Sequence, residues 1–188
     1  MGRWEPDAQG RFRAAAMQLF VERGYEHTTV ADIAERAGLT RRTFFRHFAD
    51  KPEVLFNGSE RLQIAMVDAL RNAPANATAF EAVAAALDAT AAFFGGNRDF
   101  ARQRYSVIEA NAALHERELI KLARLSAALA LALRNRGVAE PDASLAGEAG
   151  IAVFRVAFAL WVGPGEQRSF AELARDSMAR LQALAANR

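Results

Sequence analysis

The chain has 188 residues, 52% hydrophobic and 24% charged, with a net charge of +2 and no cysteine. Such a length holds one large domain or a small one joined to a medium one, and the composition excludes a disordered chain. Without cysteine there can be no disulfide, thiolate metal site or cysteine nucleophile, as befits an intracellular protein.

The opening MGRWEPDAQGRF lacks the long apolar core of a signal peptide. A first helix is expected from Pro6 or Asp7 to Arg23, with Phe12, Ala15, Ala16, Leu19 and Phe20 on one face and Gly24 as its stop. Thr29 followed by Asp32 is a capping box, so a second helix should begin at Val30, bury Ile33, Ala34 and Ala37, and end at Gly38. Thr40 can cap a third, with Phe44 and Phe48 on its buried face and Arg41, Arg42, Phe45 and Arg46 pointing elsewhere. From Arg36 to Lys51 five cations face only Asp50, the charge pattern of a phosphate-facing surface. Residues 1–51 hold nine cations against seven carboxylates and residues 52–188 fifteen against fifteen, so the net charge lies in the first part.

Asp50 and Glu53 form another cap pair around Pro52, and a rod of about 30 Å should run from there to Arg71. After a loose stretch from Asn72 to Ala77, Thr78 and Glu81 cap a helix ending near Gly95 and Gly96, and Asn97 caps the next. A helix from about Leu114 to Arg136 carries Leu119, Leu122, Leu129 and Leu133 on one face and closes at Gly137. Pro141 opens a helix to Trp161 that is apolar nearly all round, so it must be covered on more than one side. Arg155 cuts this run before it could cross a bilayer of about 30 Å, so no membrane association and a soluble, cytoplasmic chain are expected. Ser169 and Glu172 cap a last helix with Phe170, Leu173, Met178, Leu181 and Leu184.

No alternating strand pattern occurs, so the fold class is all-α: an N-terminal three-helix helix-turn-helix domain over 1–50 and a C-terminal helical domain over 51–188. The words F-x-x-x-G-Y-x-x-T-T-V-x-x-I-A-x-x-A-G, Phe20 to Gly38, and T-x-x-x-F-F-R-H-F, Thr40 to Phe48, followed by Lys51, resemble the DNA-binding domain of the tetracycline-repressor (TetR) family. The resemblance covers about the first fifty residues at motif level. It implies a second motif helix lying in the major groove of double-stranded DNA, where Arg41 and Arg42 can read guanine edges. It also implies phosphate contacts from Thr29 and Lys51 and DNA-facing positions at Thr40, Thr43, Phe45 and His47. Phe45 departs from the commoner tyrosine, which removes one hydroxyl bond to the backbone.

The resemblance further implies a homodimer on a palindromic operator, a repressor rather than an activator, and a C-terminal domain that binds a small-molecule effector and dimerises, here through the last two helices. Phe93, Phe94, Tyr105, Phe154, Phe158 and Trp161 are the aromatic candidates for that ligand site, and Arg102, Arg104, Asn111 and Arg155 its possible polar members. His27, His47 and His115 show no metal spacing, no cofactor is called for, and no acid, base or nucleophile set stands out as catalytic. Two rival readings remain: an all-helical ligand-binding or adaptor protein that uses the motif for protein contacts, and an enzyme built in the C-terminal helices.

Overall fold

The computed structural model describes residues 7–94 and 97–186, and these are all-α, with ten helices and no strand. They divide into two compact units: one holds the chain up to Asn57 together with Arg102–Glu118, the other Gly58–Ala101 and the chain from Leu119 on.

In the first unit α1 (Ala8–Arg23), α2 (Val30–Arg36), α3 (Arg41–His47) and α4 (Glu53–Phe56) pack on a small aromatic core. Phe12 of α1 meets Phe44 edge-on at 5.2 Å and Phe48 at 6.0 Å between ring centroids, and all three rings are buried. The cap signals are realised where the sequence places them. Asp7 caps α1 by accepting from Gly10 N, while Pro6 lies outside the described residues. Thr29 and Asp32 form the reciprocal capping box of α2, and the Thr40 hydroxyl accepts from Thr43 N at the start of α3. Between them Gly38 takes φ +64°, and the bonds Leu39 N to Ala34 O and Gly38 N to Glu35 O close a Schellman turn.

The expected rod from the Asp50 cap to Arg71 is two helices. Asp50 does accept from Glu53 N, but α4 ends at Phe56, and α5 (Ser59–Arg71) starts afresh after Gly58 at φ +110°. A Cβ there would lie 3.2 Å from the Phe93 ring, and an L side chain rarely adopts that φ, so the break is a glycine break.

The second unit contains α5, α6 (Ala79–Phe94), α9 (Asp142–Trp161) and α10 (Phe170–Ala186), while α7 (Arg98–Glu109) and α8 (Ala112–Asn135) give residues to both units. Here too the caps are local: Thr78 with Glu81, Asn97 with Phe100 N and Ser169 with Glu172. The expected stop at Gly95 and Gly96 lies outside the described residues. Arg136 ties the Asn72–Ala77 stretch down by donating to the carbonyls of Arg71, Ala73 and Pro74. Among the described residues one helix, α9, is long and apolar enough to cross a membrane, with a mean hydropathy of 1.5 despite Arg155. Half of it is buried against the protein itself, with Ile151, Val153, Phe154 and Ala157 in the core.

Removing the ring that joins α1 to α3 should be costly: Phe12→Ala is expected to destabilise the chain by about 3–5 kcal/mol. Denaturant unfolding checks this, and a change under about 1 kcal/mol would mean that the aromatic contact does not hold α3.

Candidate nucleic-acid interface

α3 is seven residues long, too short to persist by itself. Its buried side is fixed by Phe44 and Phe48, and its opposite side presents Arg41, Arg42, Phe45 and Arg46 to solvent. Phe45 is 51% exposed, which is unusual for a phenylalanine and leaves its ring available to an external surface. The Thr40 and Thr43 hydroxyls bond each other at 2.9 Å beside the first turn, where Thr40 is exposed and Thr43 half-buried. Thr29 is exposed at the start of α2, with its hydroxyl on Asp32. That bond and the one from Thr29 N hold the Asp32 carboxyl below its ordinary pKa.

Two of the expected contact residues face inward. Lys51 donates to the carbonyls of Tyr25 at 2.8 Å and Thr28 at 3.0 Å, and its ammonium stands 3.9 Å over the Tyr25 ring. Burial lowers its pKa. Its ammonium thus straps the α1–α2 loop to the entrance of α4. His47 has its Nε2 enclosed without a hydrogen-bond partner, beside the rings of Phe12 and Phe48. Arg36 is exposed but already paired, donating to both carboxylate oxygens of Glu22 on the surface. Of the five cations from Arg36 to Lys51, only Arg41, Arg42 and Arg46 point outward without an ion pair among the described residues.

Sequence reasoning missed several supports of this surface. Arg11 donates to the carbonyl of Ala37, the last residue of the α2 end. Tyr25 was visible only as a letter of the motif, yet it is buried, packs on Phe20 at 5.1 Å and carries Lys51. Arg117 bonds Asp50 and Glu53 from far along the chain, for which no local signal exists.

The six aromatic ligand candidates do not all converge. Phe94, Phe154, Phe158 and Trp161 form one cluster with Phe170, with Phe94 5.1–6.0 Å from the other four rings. Phe93 touches Phe94 from a partly exposed position, and Tyr105 belongs to the first unit. Arg104 also lies in the first unit, where it bonds Leu55 O and Glu118, while Asn111 bonds Val107 O and Arg155 is exposed.

Burial pushes the Tyr25 phenol up to about 12 from an ordinary 10. A raised folded-state pKa stabilises the fold below the unfolded value and stops doing so as pH climbs through the folded one. On the order of 2 kcal/mol should therefore be lost between about pH 10 and 12. In a Tyr105→Phe background phenolate absorbance reports Tyr25 alone, and a midpoint near 10 would mean the ring is not enclosed. Tyr25→Phe should abolish this part of the alkaline loss.

The family model described as bacterial regulatory proteins, tetR family, matches residues 12–57. The regulator TcmR of Streptomyces glaucescens is 43% identical over 74 residues, which are 39% of this chain and 33% of TcmR. The match thus spans about a third of that relative's length. The TetR family regulator PfmR of Thermus thermophilus is 28% identical, with 90% of this chain and 95% of PfmR covered and a TM-score of 0.52. FadR of Thermus thermophilus, a TetR family repressor solved in complex with lauroyl-CoA, shares the fold at 24% identity, 93% coverage of both chains and a TM-score of 0.58. With the helix-turn-helix words, the capped and outward-facing α3 and these likenesses together, residues 12–57 are a DNA-binding head of the tetR family, and the chain as a whole is similar in sequence and fold to TetR family transcriptional regulators.

Proposed function

We propose that the chain is a cytoplasmic, homodimeric transcriptional regulator that binds a palindromic operator as a repressor and is released by a small molecule. One observation carries the reading: α3 is capped by Thr40, anchored from behind by Phe44 and Phe48, and turns outward an exposed phenylalanine and three arginines that have no ion pair among the described residues. Arg41 and Arg42 stand at the end of such a helix that reaches base edges, and a guanidinium there can bond guanine O6 and N7 together. Arg46 and the exposed Thr40 hydroxyl suit phosphate, Thr29 would meet it through the opening amides of α2 because its hydroxyl is spent on Asp32, and Phe45 suits sugar or a thymine methyl. Lys51 and His47 serve this surface from inside.

Support for self-association comes from α9. Leu145, Val156 and Leu160 are 63%, 54% and 47% exposed on a helix whose other side is core, with exposed Ala152 and Ala159 among them. Leu184 of α10 is 74% exposed. Two copies joined through such faces would present two α3 helices to successive major grooves about 34 Å apart. The effector is proposed to be an apolar small molecule acting at the cluster of Phe94, Phe154, Phe158 and Trp161. FadR, whose fold this chain shares, holds lauroyl-CoA. Such a molecule lowers DNA affinity only by favouring a dimer whose heads are wrongly spaced, since equal affinity for both shapes shifts nothing.

Footprinting on the DNA upstream of its own gene should show protection of two half-sites. Arg41→Ala with Arg42→Ala should weaken binding about tenfold or more for each guanine no longer bonded and flatten the preference there, without loss of helicity. Unaltered sequence preference would remove these two arginines from base readout and favour the adaptor reading. Val156→Glu with Leu160→Glu should give a monomer by sedimentation and lose binding to the full palindrome. A variant that stays dimeric would place the interface elsewhere.

A further inference from the structure

We propose that Arg117 is a positioning residue for DNA recognition, acting on the reading head through Asp50 and Glu53. This rests on the DNA-binding reading above. Arg117 lies in Arg102–Glu118, the segment that joins the first unit from beyond α6. One terminal nitrogen of its guanidinium bonds Asp50 at 2.8 Å and the other bonds Glu53 at 2.8 Å, across 67 and 64 residues of sequence. The three side chains are only partly exposed, at 31%, 46% and 24%. A planar fork serves two carboxylates at once, which a lysine ammonium cannot do with the same geometry.

The two carboxylates flank Lys51 where the chain leaves α3. Asp50 also holds Glu53 N, the first amide of α4. Lys51 in turn bonds the carbonyls of Tyr25 and Thr28, and Thr28 directly precedes the cap residue of α2. A continuous chain of bonds thus runs from Arg117 to the start of α2. Arg104 reinforces it from the same segment. Its Nε donates to Leu55 O in α4, and it shares the Phe56 ring with Arg117, the two guanidinium carbons lying 5.2 and 5.7 Å from the ring centre. Both ends of α4 are therefore held by arginines from the distal segment. Arg117 has an electrostatic part as well. It neutralises two carboxylates beside a surface meant for a polyanion, and without it both would repel phosphate.

The test uses the full chain and a duplex that the wild type enriches from a random-sequence pool. Arg117→Gln should weaken binding to that duplex about tenfold, and Arg117→Lys should recover part of the loss. In an Asp50→Asn, Glu53→Gln background, where the amide oxygen introduced at the first position can still cap α4, Arg117→Gln should change binding no further. Without DNA, Arg117→Gln should speed amide hydrogen exchange in the α1–α2 loop and α4, while α9 and α10 exchange as in the wild type. Equal losses in both backgrounds, or no loss in either, would overturn the proposal, as would unchanged exchange in the loop and α4. If the wild type enriches no duplex, the DNA-binding reading fails and hydrogen exchange alone decides whether Arg117 positions the head.

Discussion

The contact of Phe12 with Phe44 and Phe48 is the interaction on which the rest of the reading head depends. α3 has too few residues to be helical alone, so its shape is supplied by what lies behind it. The three rings fill a core of edge-to-face and tilted pairs that joins α1 to the middle and the C-cap of α3. Once the back of α3 is fixed, the 3.6-residue period leaves Arg41, Arg42, Phe45 and Arg46 only the outside. The aromatic core thus decides the direction in which the cations point.

Cations in this head do two different jobs, and composition cannot separate them. Arg36 and Lys51 lie in the same basic stretch as the outward arginines, yet one closes an ion pair with Glu22 and the other fills the carbonyl end of a loop. The field offered to an approaching phosphate is therefore that of three arginines, smaller than the five charges in the stretch imply. Association should be less salt-sensitive than that count would give, because a cation turned inward or already paired with a carboxylate releases fewer counterions to phosphate.

What the sequence made legible was local. Capping pairs at Thr29, Thr40, Asp50, Thr78, Asn97 and Ser169 were readable because donor and acceptor stand three residues apart. The all-α class followed from periodicity, and the resemblance of the DNA-binding head to the TetR family from words within the first fifty residues. The break at Gly58 was hidden because an apolar helical pattern resumes on both sides of it. The inward turn of Lys51 and the enclosed Nε2 of His47 depend on what α1 and its loop place opposite them. Arg117 was invisible, since nothing near position 117 announces a partner at position 50. Tyr105 and Arg104 were grouped with the ligand candidates by composition, and topology placed them in the other unit.

The interleaving of Arg102–Glu118 with the first fifty-seven residues has a consequence for modular exchange. A hybrid made by joining this chain up to Asn57 to another regulator's body would transplant a head with one of its walls left behind. Its host would need cations of its own where Arg104 and Arg117 now stand. A head built this way comes in two pieces of chain, and a compatible graft must match both.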